Sequence, residues 1–154
     1  MSNAPKDLAV LLVDDEAEIL DLTAEILAEE FEVCTASDGV SALAILQRQP
    51  IDIIISDQRM PGMSGTDLLR ESLVLRPDAE RIIMTAYAEL QLVIECINDA
   101  RVSHILTKPV KPEQILLTTR KASEALRLRR ENQRLLHSLR KHNEDLQRAV
   151  DERT

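Results

Sequence analysis

Residues 51–65 read IDIIISDQRMPGMSG, and the interpretation of this stretch decides the fold. Three consecutive isoleucines, Ile53 to Ile55, run almost directly into Asp57, and a loop holding Pro61, Gly62 and Gly65 follows at once. An apolar run without polar alternation is the pattern of a strand buried on both faces, and Pro and Gly then end it. Such a strand carries Asp57 to its carboxyl end. There the carboxylate is either a cap for the next loop or a reactive group presented at a sheet edge.

The flanking sequence repeats the same pattern. LAVLLVDD (8–15), FEVCTA (31–36), RIIMTA (81–86) and HILTK (104–108) read as four further short strands. Between them lie amphipathic segments: a helix at 16–30 with Ile19, Leu22, Ile26 and Leu27 on one face, and a second at 37–49 with Ala42, Leu43, Ile45 and Leu46 inward. Helices at 66–76 and 89–100 follow, and Lys111-Pro112-Glu113 opens a last one. Five continuous apolar strands alternating with helices predict a parallel sheet covered on both faces, a doubly wound α/β sandwich. Periodicity leaves the strand order open.

Composition bounds the function. The chain has 154 residues, 44% of them hydrophobic, with no Trp and only Phe31 and Tyr87 as aromatics, so its core must be aliphatic. Cys34 and Cys96 are too few and too scattered for a disulfide framework or a zinc site, which points to a reducing cytoplasm. No apolar run approaches the ~18 residues of a membrane span. The start MSNAPKDLAV has no signal-peptide pattern, and its SNA fits a vector-derived or a native start equally. Residues 120–154 hold ten Lys/Arg against six Asp/Glu, a net of +4, and residues 1–119 hold nine against twenty-one, a net of −12. The acidic body argues against nucleic acid as a partner, and the alternating charges of the tail read as a solvated helix face.

From Glu113 to Thr154 there is neither Pro nor Gly. A heptad frame places Ala125, Asn132, Leu139 and Leu146 at a, and Leu128, Leu135, His142 and Ala149 at d, with Leu136 and Val150 off the seam. The expectation is a globular domain at 1–120 and, at 121–154, a coiled-coil extension that dimerises in parallel. Glu124 at g would then meet Arg129 at e of the partner copy. The competing reading is a single amphipathic helix packed on an element outside this chain.

Chemistry in such a sheet gathers at the carboxyl ends of the strands. Four of the five ends carry polar groups: Asp14 and Asp15 (with Glu16), Asp57, Thr85, and Lys108 before Pro109. Clustered carboxylates raise one another's pKa, and a hard divalent cation that keeps part of its water, Mg²⁺, relieves the repulsion. Lys108 adds a fixed positive charge and Thr85 a hydroxyl. The set suits phosphoryl transfer to Asp57 acting as a carboxylate nucleophile.

These residues sit in VDD (13–15), SDQRMPGMSG (56–65), MTA (84–86) and TKP (107–109), and in that order they resemble the receiver domains of two-component response regulators, the CheY-like family, over about residues 8–120. The resemblance implies a flavodoxin-like sheet in the order 2-1-3-4-5. It implies that Asp57 accepts a phosphoryl group from a histidine kinase or phosphotransfer protein, with Asp14, Asp15, Asp57 and the Arg59 main-chain carbonyl around Mg²⁺. Thr85 would move onto the phosphoryl group, Lys108 would pair with it, and the Lys108–Pro109 bond would be cis. Ile105 departs from the family, which places an aromatic three positions before the lysine, so Thr85 and the helix 89–100 are left to carry more of the switch. Tyr87 is either a gate to Asp57 or a surface aromatic. His104, His137 and His142 lack partners at ligand spacing and read as structural, and both cysteines as core or half-buried thiols.

Two other functions compete. An Asp-nucleophile phosphatase resembling the haloacid dehalogenases needs a second Asp two residues after the first, and Arg59 stands there. A constitutive dimeric scaffold would not require the complete acidic set with its lysine. The chain is expected to catalyse only its own phosphorylation and dephosphorylation. The heptads run on to VDERT (150–154), from which a missing output domain is expected beyond it.

Overall fold

The computed structural model describes residues 6–152; the SNA segment and the last two residues of VDERT lie outside the described residues. Five strands, β1 (Ala9–Val13), β2 (Glu32–Ala36), β3 (Ile53–Asp57), β4 (Glu80–Ala86) and β5 (His104–Lys108), alternate with α1 (Ala17–Leu27), α2 (Gly39–Arg48), α3 (Gly65–Leu75), α4 (Leu90–Ala100) and α5 (Pro112–Glu152). All pairings are parallel and the strand order is β2-β1-β3-β4-β5, the flavodoxin-like order that the resemblance implied.

The isoleucine run sits in the middle of this sheet. Ile53, Ile54 and Ile55 are fully buried, with Val10 to Leu12 of β1 on one side and Glu80 to Ile82 of β4 on the other. Each such side chain contributes roughly 1.5–3 kcal/mol relative to exposure. Leu68 and Leu69 of α3, Leu46 of α2 and Val93 of α4 join Ile54 in one aliphatic cluster. The register places Asp57 opposite Met84, one residue short of Thr85. Ser56 and Asp57 are buried along with the isoleucines, so the strand includes the carboxylate instead of stopping before it.

One expected face is corrected. α1 buries Leu20, Thr23 and Leu27, an i, i+3, i+7 stripe, while Ile19 and Leu22 are 43% and 52% exposed. Five large apolar residues in this helix, Ile19, Leu20, Leu22, Ile26 and Leu27, fit two neighbouring stripes, and the sheet selects the one centred on Leu20 and Leu27. The predicted helix at 66–76 runs from Gly65 to Leu75, and the strand at 81–86 begins one residue earlier, at Glu80.

Arg81 is a core residue that hydrophobic patterning does not reveal. Its side chain is fully buried, with Nε donating to Ser72 Oγ at 2.9 Å, one terminal nitrogen to the Ala79 carbonyl at 2.6 Å and the other to the Arg76 carbonyl. Fixed acceptors satisfy the guanidinium, the condition under which a charge is retained inside.

The chain divides into two compact units, one running to Ser123 and one from Glu124. The second consists of the distal part of the 41-residue α5. Along it Leu128, Leu135, Leu139 and Leu146 are 71%, 57%, 64% and 52% exposed, as are the off-seam Leu136 and Val150 to similar degree. No helix among the described residues is long and apolar enough to cross a membrane.

Candidate functional site

Asp14 follows β1, Asp57 and Lys108 end β3 and β5, and Thr85 is the penultimate residue of β4. Parallel pairing aligns these ends on one edge of the sheet. Asp14 and Asp57 are 2% and 3% exposed, whereas Asp15 is exposed. Carboxylate oxygens of Asp14, Asp15 and Asp57 all lie within 4.8 Å of one another, and this is the one such group of metal-ligating side chains found among the described residues.

Lys108 Nζ reaches Asp57 Oδ2 at 2.9 Å. The Lys108–Pro109 peptide bond is cis, as the resemblance implied. Burial alone would pull the Lys108 pKa down, but the hydrogen bond it donates to Asp57, with the charges of Asp57, Asp14 and Glu16, raises it above its ordinary value. Lys108 is therefore a firmly charged partner at neutral pH. Asp14 is raised too, by burial first and then by Asp57, although the Glu16 N–H that donates to its Oδ1 at 3.0 Å acts in the opposite sense. An acid whose pKa is raised this way is relieved by added positive charge.

A cleft of about 270 Å³ opens above these groups, lined by Asp15, Glu16, Asp57, Arg59, Ala86, Ala88, Glu89 and Lys108. Three carboxylates around an open, partly solvated space suit a hard, oxygen-preferring divalent cation that keeps several waters. The residues present fit Mg²⁺ on this donor chemistry. Arg59 extends over the mouth of the cleft, its side chain 86% exposed, and its guanidinium pairs with Glu89 at 2.6 Å. That pair spans from the β3–α3 loop to the turn before α4, and sequence spacing gave no signal of it.

Thr85 is fully buried, and its hydroxyl donates to the Ala86 carbonyl at 3.3 Å. Tyr87, in a single 3-10 turn (Tyr87–Glu89), is 81% exposed and is not among the cleft-lining residues, so the surface reading describes it better than the gate. Ile105 is half-buried and packs against the aliphatic core, in register with Ile83. Cys34 and Cys96 are free and half-buried, as expected.

The loop after Asp57 is built for close approach. Gly62 has φ of +81°, a conformation that L side chains rarely adopt. At Gly65 a Cβ would stand 2.3 Å from the Asp57 carbonyl oxygen, so only glycine lets α3 start against the end of β3. Ser64 caps α3, its hydroxyl accepting from Asp67 N at 3.2 Å.

A doubly wound sheet with an acidic trio and a lysine joined at one carboxyl edge defines the receiver class of signalling domain. The chain belongs to the family described as the response regulator receiver domain, whose model matches residues 10–120. It is 38% identical over 130 residues to the hydrogenase transcriptional regulatory protein HoxA of Cupriavidus necator, covering 84% of this chain and 27% of that protein. It is 34% identical over 138 residues to the C4-dicarboxylate transport transcriptional regulatory protein DctD of Rhizobium meliloti, covering 88% of this chain and 29% of the relative. The chain thus spans little more than a quarter of the length of these relatives. Among solved structures, a response regulator receiver domain protein from Clostridium thermocellum matches with a TM-score of 0.71 at 31% identity, covering 79% of this chain and 98% of that one. An adenylate cyclase from Rhodopirellula baltica matches with a TM-score of 0.78 at 29% identity, covering 83% and 96%.

Proposed function

We propose that Asp57 is the phospho-acceptor of a two-component response regulator, taking its phosphoryl group from a histidine kinase or phosphotransfer protein in the cytoplasm. The observation that carries this reading is the 2.9 Å contact of Lys108 with Asp57 Oδ2, inside a trio of carboxylates whose ligand oxygens lie within 4.8 Å. One Asp57 oxygen is held by Lys108, and the other is left to attack phosphorus. The O–P bond forms as the P–N bond of the phosphohistidine breaks, and its electron pair returns to the imidazole.

Asp14, Asp15, Asp57 and the Arg59 main-chain carbonyl would hold Mg²⁺, which supplies positive charge to the transferring oxygens. Lys108 balances the anion from the other side. The Thr85 hydroxyl, released from Ala86, would donate to the phosphoryl group, and that movement would reach α4 without an aromatic at Ile105. Residues 1–120 form the receiver, and residues 121–154 pair in parallel with a second copy through Leu128, Leu135, Leu139 and Leu146. This chain acts catalytically only on itself.

The test is incubation with a small phosphodonor, such as acetyl phosphate, and Mg²⁺, followed by intact mass. One added phosphoryl group is expected on the wild type and none on Asp57→Asn. Full incorporation in Asp57→Asn would remove Asp57 from the role.

A further inference from the structure

Gln58, the residue after the acceptor, is tied down more completely than its half-buried loop position requires. Its N–H donates to the Met84 carbonyl at 2.8 Å, continuing the β3–β4 ladder one residue past Asp57. Its carbonyl accepts from Gly65 N at 2.9 Å. Its side-chain Oε1 accepts from Thr66 N at 2.9 Å, and its Nε2 donates to Thr66 Oγ1 at 3.3 Å. The Thr66 hydroxyl, on a residue 5% exposed, also meets Ser64 Oγ at 3.2 Å.

The first two N–H groups of α3 thus both end on Gln58, one on its main chain and one on its amide. Ser64 takes the third, so the helix start is satisfied without help from solvent. Residues 58–66 are thereby closed into a ring pinched at its base. Gly65 brings the far side of that pinch against the Asp57 carbonyl, where no Cβ fits. Arg59 is the first residue inside the ring, one peptide beyond the clamp.

We infer that Gln58 is a positioning residue: its side-chain clamp on Thr66 fixes the direction of the Arg59 main-chain carbonyl relative to the Asp57 carboxylate, and so sets the affinity of the acidic site for a divalent cation. This rests on the proposed role of the Arg59 carbonyl. The physical argument is preorganisation. A carbonyl held one peptide from a double hydrogen-bonded anchor samples few orientations, and a ligand that must be ordered on binding weakens the site. Ser64 caps the Asp67 N–H alone, so Gln58 serves the start of α3 as well as the loop, and metal affinity measured beside stability separates the two roles.

The test is Mg²⁺ titration of the full chain by calorimetry, with the metal-free thermal midpoint measured alongside. Gln58→Met keeps the length and apolar stem and deletes both amide hydrogen bonds; about a tenfold weaker Mg²⁺ affinity is expected, the lower end for loss of a residue that orients a metal ligand. Thr66→Val removes only the hydroxyl and is expected to lose about threefold, as a smaller part of the same effect. Thr66→Ser, which restores the hydroxyl, is expected to match the wild type. Thr66→Val also keeps the comparison open if Gln58→Met folds poorly. A lowered midpoint with unchanged Mg²⁺ affinity in both Gln58→Met and Thr66→Val overturns the inference and leaves the phospho-acceptor reading standing. Absence of Mg²⁺ binding by the wild type overturns both.

Discussion

At the scale of single residues, Asp14 shows what a cation at the proposed site would relieve. Burial raises its pKa above the ordinary 3.8, so the folded state holds the proton more tightly than the unfolded chain does. The stability this group adds is complete below the unfolded value and is lost as pH rises through the higher folded value. At neutral pH its charge is therefore a cost. Asp14→Asn is expected to stabilise the metal-free protein by about 1 kcal/mol in thermal melts, with the gain shrinking as pH falls toward the ordinary carboxylate range. Mg²⁺ at ten times its dissociation constant is expected to add about 1.4 kcal/mol to the wild type and almost nothing to Asp14→Asn. Gly65 is a residue of the opposite kind, chosen for what it lacks. A methyl group there meets the Asp57 carbonyl oxygen. Gly65→Ala is expected to cost about 1–3 kcal/mol in denaturant unfolding and to slow phosphorylation at Asp57, because the backbone of the acceptor itself must shift.

At the scale of elements, β3 makes the sheet and the site one object. The side chains that bury Ile53 to Ile55 also fix Asp57 opposite Met84, with Lys108 brought in at the end of β5. Ile54→Ala, in a fully buried position, is expected to lose about 2–5 kcal/mol in chemical denaturation, and the Mg²⁺ affinity of the folded fraction is expected to persist. Strands and their polar ends were legible in the sequence because continuous apolar runs are rare outside buried parallel strands. The inward face of α1 was not, because Ile19 and Leu22 satisfy helical periodicity as well as Leu20 and Leu27 do. Nor were the Arg59–Glu89 pair, the Gln58–Thr66 clamp and the buried Arg81 guanidinium. Each joins residues on different elements or across a loop, and no spacing rule encodes such contacts.

At the scale of the whole molecule, the family and the sheet order followed from four short motifs in sequence, and the acidic trio with Lys108 is where those motifs meet. The unit from Glu124 poses a separate question. A helix that leaves Leu128, Leu135, Leu139 and Leu146 largely exposed gains little from propensity alone, and the proposed pairing with a second copy would bury that stripe. Light scattering is expected to give a dimer for the wild type and a monomer for Leu139→Glu combined with Leu146→Glu, with Mg²⁺ stabilisation unchanged. A wild-type monomer at high concentration contradicts the pairing.

The central claim is that the carboxylate of Asp57 is the group that is phosphorylated, and reductive trapping tests it most directly. Borohydride converts an aspartyl phosphate, but not a free carboxylate, to homoserine. After treatment with acetyl phosphate and Mg²⁺, peptide mass mapping is expected to find homoserine at position 57 and nowhere else. Homoserine at Asp14 or Asp15, or phosphate retained on a peptide lacking Asp57, would contradict the account.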